Sequence, residues 1–179
     1  PGEQVPGPGV AYWFPPLSKC GFSGPEKRTR EVVEAMKAGG FPAAVTQDVH
    51  AESVLPGTVL EVVVSALMGV GWSFKALRSG DTLSLASRAI GEAYAVVSHQ
   101  QGARPKAASK LMGPTALRLI LAVFERVVPL DLETYFRVHF TKVGQQMAQG
   151  RRWLVDQAEK AGLPHQALSE LHARAGTAN

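Results

Sequence analysis

Apolar residues along this chain recur at helical spacing for most of its length. From Arg28 to Ala38, Val32, Val33 and Met36 lie among charged residues, and Gly39-Gly40 supplies a stop. A second helix is predicted with Pro56 in its first turn. Leu60, Val63, Val64, Leu67 and Met68 follow at i, i+3, i+4, i+7 and i+8, and Gly69 and Gly71 end it. A long helix should run from about Asp81 to Gln101, with Asp81 as N-cap and Gly102 as C-cap. Its buried face is Leu83, Ala86, Ile90, Tyr94 and Val97. After a basic, Pro-containing connection from Gly102 to Lys110, Pro114 opens another helix, with Leu117, Ile120, Leu121, Phe124 and Val128 on one stripe. Asp131 then caps a segment carrying Tyr135, Phe136 and Phe140. Helices over about Gln145–Ala161 and Pro164–Ala175 complete the chain, and no fixed-period repeat suggests a solenoid.

The first 25 residues break this rhythm. Pro1 to Gly9 is rich in Pro and Gly, and Val10 to Phe14 is a short strand-like patch stopped by Pro15-Pro16. Gly21 to Pro25 has loop chemistry. An isolated strand needs a sheet to join, and only Phe41 to Thr46 offers a partner. The expected fold is therefore all-α, a multi-helix bundle with a short N-terminal strand-like segment. Residues 1–25 are expected to be a residual strand and linker from another domain, and residues 26–179 the helical domain.

At 179 residues the chain can bury one real core. Its 45% hydrophobic and 19% charged residues are those of a soluble globular domain. The longest apolar stretch, Val59 to Val70, looks too short to span a bilayer, and no signal-peptide pattern opens the chain, so no membrane partner is expected. The single cysteine, Cys20, cannot form an internal disulfide or a Cys-based zinc site, which fits a reducing cytoplasm. The net charge of +4 is spread thinly: Lys27, Arg28 and Arg30 form one group, Arg151 and Arg152 another. That distribution argues against a nucleic-acid surface.

Candidate chemistry is sparse. Gly69-Val70-Gly71-Trp72-Ser73-Phe74 has Phe74 in place of the third glycine of a dinucleotide fingerprint and follows a helix rather than a strand. No P-loop is present. His50-Ala51-Glu52 has the spacing of zinc deaminases without their Pro-Cys-x-x-Cys partner, so no metal is expected. Cys20 could act as a nucleophile or simply pack as a small hydrophobe. Glu61, beside Ser65 on an apolar helix, either faces solvent or lines a site. The densest polar and aromatic run is Tyr135 to Gln146. There His139 and Lys142, and Lys142 and Gln146, are one helical turn apart and share a face with Tyr135. A cation, an imidazole and an amide suit a carboxylate or a carbonyl under reduction, or they bond neighbouring helices.

Gly9 to Pro16 resembles the last strand of the nucleotide domain in ketopantoate-reductase-like proteins. His139 through Gln146, Ala161-Gly162-Leu163-Pro164 and Leu168 to Leu171 resemble the end of their helical domain. The resemblance implies a helical domain of the phosphogluconate-dehydrogenase C-terminal type, which closes over substrate and often mediates dimerisation. The glycine-rich NADPH site lies in the family's other half. The family's catalytic lysine at the start of the first core helix has no counterpart, because Leu55-Pro56-Gly57-Thr58 stands there. Leu60 and Val64 occupy the later turns, where the family has asparagines. The expectation is a substrate-binding, homodimer-forming domain of an NADP-dependent oxidoreductase acting on a keto acid, inactive without its nucleotide-binding half. Lys142 and His139 are the candidate catalytic residues, and Tyr135, Gln146 and Glu61 the candidate substrate contacts. Trp13, Trp72 and Trp153 mark possible association surfaces. The alternatives are a stand-alone helical interaction module without catalysis, or an enzyme of another class that uses the His139–Lys142 face.

Overall fold

The computed structural model describes residues 14–15, 18–102 and 112–176. The protein is mostly helical, with eight helices and one small sheet among the described residues. It divides into two compact units, Pro1–Ala51 and Glu52–Asn179.

In the first unit, β1 (Cys20–Phe22), α1 (Glu26–Ala38) and β2 (Ala43–Val45) form a β-α-β motif. The strands pair in parallel, with Cys20 opposite Ala43, Gly21 opposite Ala44 and Phe22 opposite Val45. Parallel neighbours cannot be joined by a tight turn, so α1 makes the crossover. Thr29 and Val33 are its buried residues, and Gly39-Gly40 closes it. The sheet corrects the all-α expectation at this end. Phe41 to Thr46 does contain a strand, but its partner is Cys20–Phe22, which lies partly within the stretch read as loop. The expected strand at Val10 to Phe14 lies outside the described residues except for Phe14, whose ring meets Phe41 edge-on at 4.9 Å.

The second unit is helical. α2 (Val49–Gly69) begins at the end of the first unit and runs 21 residues. Pro56 was expected in its first turn but sits inside the helix, whose start lies seven residues earlier. A proline here leaves one backbone acceptor without its helical partner. The added length changes the membrane argument, since an 18-residue window of α2 has a mean hydropathy of 1.5 and the helix is long enough to cross a bilayer by length and composition. Its C-terminal third is a core element, however: Val62 through Met68 are all buried. A tight reversal follows. Gly71 and Trp72 both take positive φ, and the Trp72 amide donates to the Leu67 carbonyl at 2.7 Å. This turn ends a helix and leads into α3 (Phe74–Ser79), so the glycines at 69 and 71 are not a nucleotide fingerprint.

α4 (Thr82–Gln100) is the hub of this unit. It packs against α3, α5 (Pro114–Val127), α7 (Gly144–Lys160) and α8 (Gln166–Gly176). α6 (Leu132–Lys142) leans on α7. Leu83, Leu85, Ala86, Ala89, Ile90 and Ala93 of α4 are essentially inaccessible. Repeated alanines let neighbouring helices come close, while each leucine or isoleucine contributes about 1.5–3 kcal/mol by burial. Asp81 stands at the N-cap as expected, but its side chain makes no capping bond: its carboxylate instead takes both Nη atoms of Arg174 at 2.9 and 3.1 Å. Asp131 does cap α6, accepting from the Thr134 amide at 3.1 Å. Glu133 reaches back to the Phe74 amide at 2.8 Å and so closes the start of α3.

The stripe expected on α5 is only half right. Leu117, Leu121 and Val128 are buried, but Ile120 and Phe124 are exposed. With Leu119, Val123 and Val127, also exposed, they make a second apolar face on the same helix.

Candidate functional site

The expected site on α6 does not assemble. Tyr135 and His139 share a face, as i and i+4 residues should, with their rings stacked at 5.6 Å and 10°. Both point outward. Lys142 is the last residue of α6, and Val143 breaks the helix before α7 starts at Gly144. Gln146 therefore belongs to another helix, and the shared helical face drawn from spacing does not exist. Lys142 and Gln146 instead border one open depression at the α6–α7 junction. Glu61 lies elsewhere, on α2. The five candidates fall into three places.

The cluster that the fold does build centres on Glu61. The stripe Glu61, Val64, Ser65 and Met68 of α2 turns inward among α7 and α8. The Glu61 carboxylate lies against the backbone of α7 at Gly150, where a Cβ would collide with it. The next residue, Arg151, is 8% exposed, and its Nη1 donates to the Met68 sulfur at 3.6 Å. α8 adds His172, and Leu154, Leu168 and Leu171 supply apolar walls. Ser65 keeps its hydroxyl on the Glu61 carbonyl at 2.8 Å. These residues enclose a cavity of about 10 Å³, the room of one water-sized species.

The electrostatics follow from this burial. Glu61 Oε1 and Arg151 Nε are buried with no hydrogen-bond partner. Desolvation pushes the Glu61 carboxyl above the usual carboxylate range, and the field of Arg151 only partly opposes it. Desolvation also pulls the Arg151 guanidinium below its usual value, with Glu61 acting the other way and Arg152 adding to the fall. His172 is held down by desolvation and by the two arginines. Three titratable groups thus share one poorly solvated space, each biased toward its neutral form.

Of these, the sequence singled out Glu61 with Ser65 as its neighbour; Glu61 is partly exposed, with its Oε1 buried against α7. Arg151 and His172 were missed, although their spacing carried a signal. Arg151, Leu154 and Ala158 stand at i, i+3 and i+7, and Leu168, Leu171, His172 and Ala175 form a similar stripe. A charged residue in register with a buried stripe is either buried or snorkelling. Among the described residues no three His, Cys, Asp or Glu side chains gather as a metal-holding group, and Cys20 is exposed.

Comparison of the chain with protein-family models, with curated proteins and with solved structures finds no match.

Proposed function

We propose that this chain belongs to an NADP-dependent oxidoreductase of the ketopantoate-reductase-like kind, and that its helical unit is the substrate-side, dimer-forming part. The observation that carries the reading is the β1-α1-β2 motif. Two three-residue strands are too small a sheet to stand alone, and parallel pairs joined by a helix are the unit of doubly wound nucleotide-binding sheets. A helical unit following such a motif agrees with the resemblance drawn from the sequence. The cofactor site would lie in the nucleotide-binding half that the resemblance implies, and Lys142, bordering the α6–α7 depression with Gln146, is the candidate cation for a 2-keto acid. NADPH binding and keto-acid-dependent NADPH oxidation, measured on the whole gene product purified from its own cells, test the proposal. Saturable NADPH binding is expected, and its absence would retire the oxidoreductase reading. Given turnover, an unchanged kcat/KM in Lys142→Ala would remove Lys142 from the site.

The second reading, a helical interaction module without catalysis, is favoured by the outer face of α5. Leu119, Ile120, Val123 and Val127 are each exposed, from 49% to 64%, and Leu130, Tyr135 and Val138 are further exposed apolar residues of the unit. The α5 side chains alone present on the order of 400 Å² of apolar surface, within the range of the largest patches on monomers. A second copy of this chain is the occupant we assign, and the oxidoreductase reading shares that dimer. Sedimentation equilibrium should give a dimer for the wild type and a monomer of unchanged helicity for Val123→Asp. A monomeric wild type at high concentration would refute the assignment.

A further inference from the structure

The β1-α1-β2 motif leaves one edge of its sheet open at β2. The Cys20 amide donates to the Pro42 carbonyl at 2.7 Å and the Thr46 amide to the Phe22 carbonyl at 2.9 Å, so Pro42 and Thr46 turn toward β1. Main-chain groups alternate along a strand, and Ala43 and Val45 therefore turn theirs to the opposite edge. The Ala43 amide donates to the Phe41 carbonyl at 2.8 Å. The Ala43 carbonyl and both main-chain groups of Val45 have no partner among the described residues. Pro42 through Val45 also line a groove of about 710 Å³ beside α1. Val33 and Ala43, both nearly inaccessible, form its floor, and Val45 adds an aliphatic side chain that is 52% exposed. Its rim is charged, with Lys19, Arg30 and Lys37 against one acid, Glu34. Glu26 holds Arg30 at 2.7 Å and Glu34 holds Lys37 at 3.0 Å, but all four side chains are more than half exposed, and such pairs hold weakly.

We propose that the open edge of β2, with this groove, docks an extended acidic segment of a partner protein as a third strand. Three separate features call for the same occupant. An unpaired amide and two unpaired carbonyls on an edge strand are met by another extended backbone, a recurring mode of peptide recognition. The apolar floor accepts aliphatic side chains. The rim of three cations and one acid attracts carboxylates and repels lysines. A second copy of this chain would bring the same cations to the same groove, which disfavours self-pairing here. The charges also mark β2 as an outer edge, because a further strand of a parent sheet, covered on both faces, would bury them. The larger sheet that the oxidoreductase reading calls for is therefore assigned to the β1 side, and the docking edge does not depend on that reading.

The test uses the full chain and a fluorescein-labelled octapeptide, Val-Val-Glu-Glu-Val-Val-Glu-Glu, which puts valine and glutamate on both faces of an extended strand. Fluorescence anisotropy should show saturable binding. Lys19→Glu with Lys37→Glu, both exposed positions, should weaken it about tenfold at unchanged circular dichroism. The counterpart with lysine in place of glutamate should bind the wild type at least about tenfold more weakly. The fully N-methylated acidic peptide, which keeps the charges but loses its main-chain donors, should not bind. Amide exchange by NMR gives an independent readout: the Val45 amide should exchange fast in the free protein and at least about tenfold more slowly at saturating peptide. No saturable binding of the acidic peptide, or equal binding of the methylated or the lysine peptide, would overturn the proposal. So would a Val45 amide already protected in the free protein. Protection that grows with protein concentration would put a second copy on this edge, and protection independent of concentration would mean that the sheet continues past β2. None of these outcomes bears on NADPH binding, which tests the oxidoreductase reading separately.

Discussion

Replacing Gly150 by alanine sets two opposed effects against each other, and their balance reads out the packing of Glu61. In the middle of α7, alanine should stabilise the helix by about 1 kcal/mol relative to glycine, because glycine gives up more backbone freedom on folding. The new Cβ, however, would occupy the space of the Glu61 carboxylate. Glu61 must then swing away, disturbing Leu154, Leu168 and Arg151 around it, and overpacking of this kind costs about 1–3 kcal/mol. Gly150→Ala in the wild type should therefore be neutral or destabilising by up to about 2 kcal/mol. In a Glu61→Ala background nothing obstructs the Cβ, and the same change should stabilise by about 1 kcal/mol. The double-mutant cycle should give a coupling of about 1–3 kcal/mol by urea denaturation, well outside the ~0.3–0.5 kcal/mol seen for independent sites. If Gly150→Ala stabilises equally in both backgrounds, the carboxylate does not rest against α7, and the cluster is not built as described.

Two further outcomes follow from the same helical unit. Glu92→Ala frees the Ala167 and Leu168 amides at the start of α8 and should destabilise by about 1–3 kcal/mol, with Glu92→Gln recovering part of the loss; equal stability of all three proteins in urea would show that Glu92 is not the cap. Because Glu61 is raised in the folded state, its contribution is full below the unfolded pKa of about 4.5 and is lost as pH rises through the folded value. His172 is lowered, so its contribution is full above about 6.5 and is lost as pH falls through its folded value. Glu61→Gln should therefore flatten the fall of Tm above pH 4.5, and His172→Gln the fall on acidification below pH 6.5; a variant with the wild-type profile would place its residue outside the poorly solvated cluster.

Most helices were legible because their apolar residues recur with the helical period over many turns. α4 and α7 end within a residue of where their patterns do, and α5 starts where Pro114 directs. Legibility failed wherever local pattern leaves more than one outcome. The six-residue α3 is too short to show a period, and the strand Cys20–Phe22 looks like a loop until Ala43–Val45 lies beside it. Asp81 has the chemistry of a cap, but Arg174, 93 positions later, claims its carboxylate.

The candidate sites divide on the same line. The sequence by itself determined a helical chain with one cysteine, no phosphate-binding loop and thinly spread positive charge. It also put Glu61 beside Ser65 and Tyr135 beside His139, because residues four apart on a helix are neighbours whatever surrounds them. Only the tertiary structure decided which face of an apolar helix turns inward. α2 is apolar nearly all round, so nothing in its period points Glu61 toward Gly150, and nothing in α7 or α8 says that Arg151 and His172 arrive at the same cavity. That meeting depends on how three helices pack. Helix packing is set by side chains far apart in sequence, which no local pattern records.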